Sequence, residues 1–117
     1  GSGKTIFTKG FAGAMGIEEN ITSPTFTIIK EYEGELPLYH MDVYRLDGAT
    51  DGVAIEEYFT KGGVVIIEWA STIKDILPKE YLGIKFRLVD ENKRNIIITP
   101  HGTKYEELCE AVLWYIF

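Results

Sequence analysis

Lys4 and Thr5, standing directly after Gly1, Ser2 and Gly3, are of the right types and spacing to hold a polyphosphate. The stretch reads as the second half of the phosphate-binding loop G-x-x-x-x-G-K-[ST]. Glycines let the backbone turn tightly and bring its N–H groups against phosphate oxygens. A lysine so placed reaches the β- and γ-phosphates, and the threonine hydroxyl ligates Mg²⁺. The residues that follow suit a helix whose positive N-terminal end faces the anion, and its early residue Ile6 is counted with the nucleotide-binding set. The same five residues also fit a chance turn or a Gly/Ser expression scar, so the rest of the chain must decide.

Two carboxylates are the next candidates. In Leu38–Leu46 the residues alternate, with Tyr39, Met41 and Val43 on one side and His40, Asp42 and Tyr44 on the other. This pattern fits a half-solvated strand. Asp, however, disfavours strands, and an Asp42 facing Lys4 and Thr5 could hold a Mg²⁺-bound water or orient the water that attacks a γ-phosphate. His40 reads as a hydrogen-bonding neighbour rather than a metal ligand, since no second His or Cys stands at ligand spacing. Glu68 ends the apolar run Val64-Val65-Ile66-Ile67, which has the form of a Walker B strand delivering an acid beside the loop. A buried strand ending in a solvated acid is the plainer reading of that run alone. For Trp69, packing is favoured over walling a site. Ser23-Pro24-Thr25-Phe26 offers hydroxyls on a stiffened turn that could sense a γ-phosphate, or it merely starts a strand.

The elements that must position these groups can be read in order. Lys4 to about Met15 is a helix, with Ile6, Phe7, Gly10, Phe11 and Ala14 at helical spacing and Gly16 as its stop. Phe26–Glu33 and Leu38–Leu46 are strands, antiparallel to each other across the Gly34–Pro37 turn. A loop over Asp47–Gly52 leads to a short helix at about Val53–Phe59. Gly62-Gly63 launches the Val64–Ile67 strand, expected to be covered on both faces. Ser71 is expected to cap a further short helix reaching Leu77. Ile84–Val89 and Asn95–Thr99 are late strands joined by a turn around Asp90–Arg94, and Thr103–Phe117 is a final helix. Its Ala111–Phe117 end is apolar all round, which implies burial between layers, a partner surface, or a chain cut before its polar end. Cys109 on that helix is most simply a small core residue. No repeats or linkers interrupt the chain, so one α/β domain over residues 1–117 is expected, with a mixed sheet flanked by helices.

Composition narrows the function classes. A hydrophobic content of 45% and a charged content of 26% are those of an ordinary globular protein. The formal net charge of -6 argues against independent grip on nucleic acid by phosphate neutralisation. A single cysteine excludes an internal disulfide, and no run is apolar and long enough for a membrane helix. A cytoplasmic protein without membrane partners is the expectation.

Taken together, Gly1-Ser2-Gly3-Lys4-Thr5, Ser23-Pro24-Thr25-Phe26, Tyr39-His40-Met41-Asp42-Val43-Tyr44-Arg45-Leu46, Ile55-Glu56-Glu57-Tyr58-Phe59 and Ile67-Glu68-Trp69 resemble the ordered signature of the TsaE family, also called YjeE. The resemblance runs from residue 1 to about Arg94. It implies a P-loop NTPase-like fold and an ATPase with ATP and Mg²⁺ as cofactors. That ATPase supports tRNA N6-threonylcarbamoyladenosine formation with the proteins TsaD and TsaB, and meets tRNA only indirectly through them. It implies Thr5 and Glu68 as magnesium positions, Lys4 and its neighbours as the ATP loop, and Asp42 as an acid required for hydrolysis. Arg94 stands about where the family has an arginine near the nucleotide. The family also has an upstream strand pair and a first loop glycine. Without them the chain is expected to be an N-terminally truncated fragment that binds ATP poorly. Two other readings share the loop. A small-molecule kinase would need an arginine-rich lid, whereas Arg45, Arg87 and Arg94 are not clustered; a nucleotide-gated interaction module would bind without much turnover.

Overall fold

The structure, a computed structural model, describes residues 4–22, 29–44 and 55–116. Gly1, Ser2, Gly3, the Ser23–Phe26 segment, Arg45, Leu46 and the Asp47–Gly52 loop lie outside the described residues. The chain divides into two compact units, Gly3–Leu77 and Pro78–Phe117, each described by itself. It is mixed α/β, as the element order in the sequence implies.

The first unit is built on a three-stranded sheet. Its strands are β1 (Ile29–Tyr32), β2 (Leu38–Asp42) and β3 (Val64–Glu68), with β2 in the centre. β1 and β2 form the expected antiparallel hairpin, pairing Ile29 with Met41 and Tyr32 with Leu38. β3 runs parallel to β2, with Leu38 opposite Val64 and Asp42 opposite Glu68. Partners in a parallel ladder share a face, so Leu38, His40, Asp42, Val64, Ile66 and Glu68 point one way. Tyr39, Met41, Val65 and Ile67 point the other.

Helix α1 (Lys4–Ala14) packs on the first of these faces, where Ala12, Ile17, Ile21, Tyr32 and Leu38 form a core with Met15, Val64 and Ile66 against it. The apolar spacing had pointed to Ile6, Phe7, Gly10, Phe11 and Ala14 as the packed side. The structure instead buries Thr8 and Ala12 and leaves Ile6 76% exposed. Small residues let the helix backbone lie close to the sheet, and the Thr8 hydroxyl is satisfied by donating to the Lys4 carbonyl at 3.0 Å. On the opposite face α2 (Ile55–Tyr58) and a 3₁₀ helix (Ala70–Ile76) cover Tyr39, Met41 and Val43 with Ile55 and Ile73. Val64 and Ile66 reach one core and Val65 and Ile67 the other, so β3 is covered on both faces although its residues are only half-buried. Gly63 makes the β3 start possible. A Cβ there would meet the Pro37 carbonyl at 2.6 Å and the Tyr39 ring at 2.7 Å.

The second unit holds β4 (Tyr81–Asp90), β5 (Lys93–His101) and α3 (Thr103–Ile116). β4 and β5 form an antiparallel two-stranded sheet, longer than the sequence pattern suggested and closed by only Glu91 and Asn92. The Glu80 carboxylate accepts the Lys104 backbone N–H at 3.2 Å, near the start of α3. Cys109 on α3 is free and partly buried. No helix among the described residues is long and apolar enough to cross a membrane.

Candidate active site

The carboxyl ends of the parallel strands β2 and β3 are where ligands collect in sheets of this kind, because side chains emerge there from a rigid frame without blocking one another. Both candidate carboxylates stand at that end, Asp42 closing β2 and Glu68 closing β3, paired across the ladder. The strand that carries Asp42 ends there rather than at Leu46, and the Asp42 carboxylate turns back to accept the Tyr44 backbone N–H at 3.0 Å. The ladder is prolonged by one bond, from the Val43 N–H to the Glu68 carbonyl at 3.2 Å.

Two basic side chains, His40 and Lys4, act on Glu68. Its Oε2 lies 2.8 Å from Nε2 of His40, and the His40 hydrogen bond is the main reason its carboxyl stays below the usual carboxylate range. Partial burial pushes the other way, while the charges of His40 and Lys4 add to the lowering. Contact of the Lys4 ammonium with Trp69, the residue after Glu68, puts the first residue of α1 and the last of β3 at one end of the unit. A half-solvated β2 face is therefore corrected. His40 is fully buried, and its ring is held by Glu68 instead of by water.

Trp69 follows Glu68 and corrects another expectation. It does not pack into a core. It is 47% exposed, its ring lies 4.2 Å from the Lys4 Nζ, and the Tyr44 ring sits 4.8 Å away, centroid to centroid. Its backbone is left-handed, at φ 64 and ψ 34, the only such non-glycine among the described residues. That conformation is strained for an aromatic residue and is found where surrounding structure imposes it, often at functional sites. Thr72 holds the Trp69 carbonyl in this conformation. The Thr72 hydroxyl donates to the Trp69 carbonyl at 2.9 Å and its N–H reaches the same oxygen at 3.1 Å. Ser71 is thus not the cap of this helix; Trp69 occupies that place without a side-chain bond. The signal for Trp69's role was present in the sequence as its position beside Glu68, but nothing there announced its backbone.

Lys4, Thr5, Asp42 and Glu68 all lie in the first unit. Arg94 lies in the second, on β5 opposite Leu88 rather than in the turn. Among the described residues no group of three or more His, Cys, Asp or Glu is gathered to hold a metal. A hydroxyl and one or two carboxylates suit Mg²⁺ nonetheless, because this hard ion takes oxygen ligands and usually draws the rest from phosphates and water.

Comparison with known proteins bears on the family and the fold. The family model for the threonylcarbamoyl adenosine biosynthesis protein TsaE matches residues 1–96. The chain is 50% identical over 113 residues to the tRNA threonylcarbamoyladenosine biosynthesis protein TsaE of Bacillus subtilis, covering 96% of this chain and 72% of that protein. The protein of the same name from Treponema pallidum is 42% identical over 99 residues, covering 83% and 73%. The crystal structure of Bacillus subtilis YdiB superposes with a TM-score of 0.86 at 45% identity, over 100% of this chain and 73% of that one. The chain belongs to the TsaE family of threonylcarbamoyl adenosine biosynthesis proteins.

Proposed function

We propose that this protein is a Mg²⁺-dependent ATPase serving tRNA threonylcarbamoyladenosine formation in the cytoplasm, acting with TsaD and TsaB and meeting tRNA through them. The observation that carries the proposal is the pairing of Asp42 with Glu68 at the carboxyl end of the β2–β3 ladder, with the Lys4 ammonium against Trp69, the residue that follows Glu68. Thr5 and Glu68 would hold the magnesium ion, whose role when bound is to neutralise charge on the transferring phosphoryl group. Lys4 supplies a second positive charge. Its ammonium now rests on the Trp69 face, an aromatic contact weak enough for a polyphosphate to displace. Asp42 accepts a proton or orients the attacking water. Its Oδ1 is already held by the Tyr44 N–H, so the carboxylate is fixed in rotation before substrate arrives. Gly1, Ser2, Gly3 and Ile6 would line the phosphates with backbone N–H groups, and Arg94 is counted with the nucleotide-binding residues on the family resemblance alone.

The test is phosphate release from Mg-ATP by the full-length protein, with and without TsaD and TsaB. Turnover that rises with the partners and disappears in Lys4→Ala supports the reading. Asp42→Ala is expected to bind nucleotide normally and to lose turnover by about 10²- to 10⁴-fold, the usual contribution of a positioned acid–base group. Full function of Asp42→Ala in tRNA modification would instead favour a nucleotide-gated interaction module. Stimulation by a small hydroxyl compound and indifference to TsaD and TsaB would favour a kinase.

A further inference from the structure

His40 is fully buried, yet an imidazole is a poor choice for filling space. A buried polar atom without a partner costs free energy, and Nδ1 of His40 is such an atom among the described residues. Its neighbours on the same face, Leu38, Val64 and Ile66, show that the site accepts apolar side chains. What the ring does make is one bond, from Nε2 to Glu68 Oε2 at 2.8 Å. A carboxylate only accepts, so Nε2 carries the hydrogen, and in the neutral ring Nδ1 keeps a bare lone pair. That is the less costly atom to leave alone.

The register explains why this bond fixes orientation. Asp42 is opposite Glu68, and His40, two residues earlier on β2, shares their face and reaches Glu68 along the diagonal. β2 is the central strand of its sheet, and its first four residues are buried. The ring is therefore anchored by packing on a central strand, and the Glu68 side chain, 11% exposed at the end of β3, is held against it by this one bond.

We propose that His40 is a positioning residue for magnesium. By holding Oε2 of Glu68 it sets the carboxylate's rotation and leaves the other oxygen to the ion. Groups that hydrogen-bond a ligating carboxylate act on metal affinity in this way. The proposal rests on the ATPase reading above, in which Glu68 is a magnesium ligand.

The experiment measures binding of a fluorescent non-hydrolysable ATP analogue to the full-length protein, first in EDTA and then across a Mg²⁺ titration. His40→Leu is expected to leave the EDTA affinity unchanged and to raise the Mg²⁺ midpoint by about 10- to 100-fold. In a Glu68→Ala background the same substitution is expected to add nothing. An unchanged midpoint, or an equal further loss in the Glu68→Ala background, overturns the proposal. Should His40→Leu lose binding in EDTA as well, His40→Gln and His40→Asn replace it. Glutamine places an N–H donor at the reach of Nε2 and asparagine at that of Nδ1. The glutamine variant is expected near the wild-type midpoint and the asparagine variant well above it; equal midpoints overturn the proposal. Wild-type binding that ignores Mg²⁺ overturns the ATPase reading itself, a result distinct from any of these.

Discussion

The two units are held together by different means. Every fully buried side chain among the described residues lies in Gly3–Leu77, where a central strand is sandwiched between α1 on one face and α2 with the 3₁₀ helix on the other. In Pro78–Phe117 the β4–β5 ladder supplies the order, and apolar side chains remain open. Ile96, Ile97 and Ile98 alternate across β5, yet all three are substantially exposed, so neither face of that strand is closed at this point. Burial of a large apolar side chain contributes about 1.5–3 kcal/mol, and the first unit draws on that repeatedly where the second does not. The carboxylates stand in the unit where displacement of a side chain is resisted from both sides. Chemistry that depends on sub-ångström placement belongs there.

The contrast can be broken most forcefully at Gly63. Gly63→Ala drives a methyl into the Pro37 carbonyl and the Tyr39 ring at the junction of β2 and β3. It is expected to destabilise the protein by about 1–3 kcal/mol, seen as a lower denaturant midpoint with unchanged slope. A wild-type midpoint would mean that the frame is looser than its packing implies. Native-state amide exchange sharpens the comparison without mutation. Amides of β2 should exchange only through the largest opening of the molecule, and those of β4 and β5 through smaller ones. Equal protection would show the two units to be one cooperative block. A smaller effect is expected from Ile97→Thr on β5. The side chain is 40% exposed and the substitute suits a strand, so stability should change by no more than about 0.5 kcal/mol.

The smallest effect concerns Glu68. Its carboxyl is held below the ordinary range in the folded protein, so on acidification the unfolded chain takes up the proton first. The stabilisation is fully present above the ordinary carboxylate pKa and is lost as pH falls through the depressed folded value. Comparing acid unfolding of wild type and Glu68→Gln should reveal a shallower loss in the variant. Identical profiles would show that the His40 bond does not favour the ionised form.

Much of this was readable in the chain because it depends on local rules. The β1–β2 hairpin followed from β-branched and aromatic runs around Gly34–Pro37, and β3 from four consecutive apolar residues after Gly62-Gly63. The placement of Asp42 and Glu68 at strand ends could likewise be inferred from their position after those runs. The packed face of α1 could not, because helical spacing selects large apolar residues while close helix–sheet approach selects small ones, Thr8 and Ala12. Nor could the His40–Glu68 bond, which is a diagonal across a parallel ladder and depends on a register no local pattern states. The length of β4 and β5 was underestimated for a related reason. Backbone pairing extended the strands through Tyr81-Leu82-Gly83 and Pro100-His101, where Gly83 and Pro100 interrupt the strand pattern.

The position of Trp69 has an optical consequence. The chain contains two tryptophans, and the other, Trp114, lies in α3 of the second unit. Replacing Trp114 by phenylalanine leaves a single indole emitter, with the Lys4 ammonium 4.2 Å from its ring centre. A cation so close to an aromatic face alters its excited state. Movement of that lysine toward a phosphate would therefore appear as a change in emission, so the protein carries a label-free reporter at the spot where the proposed nucleotide would arrive.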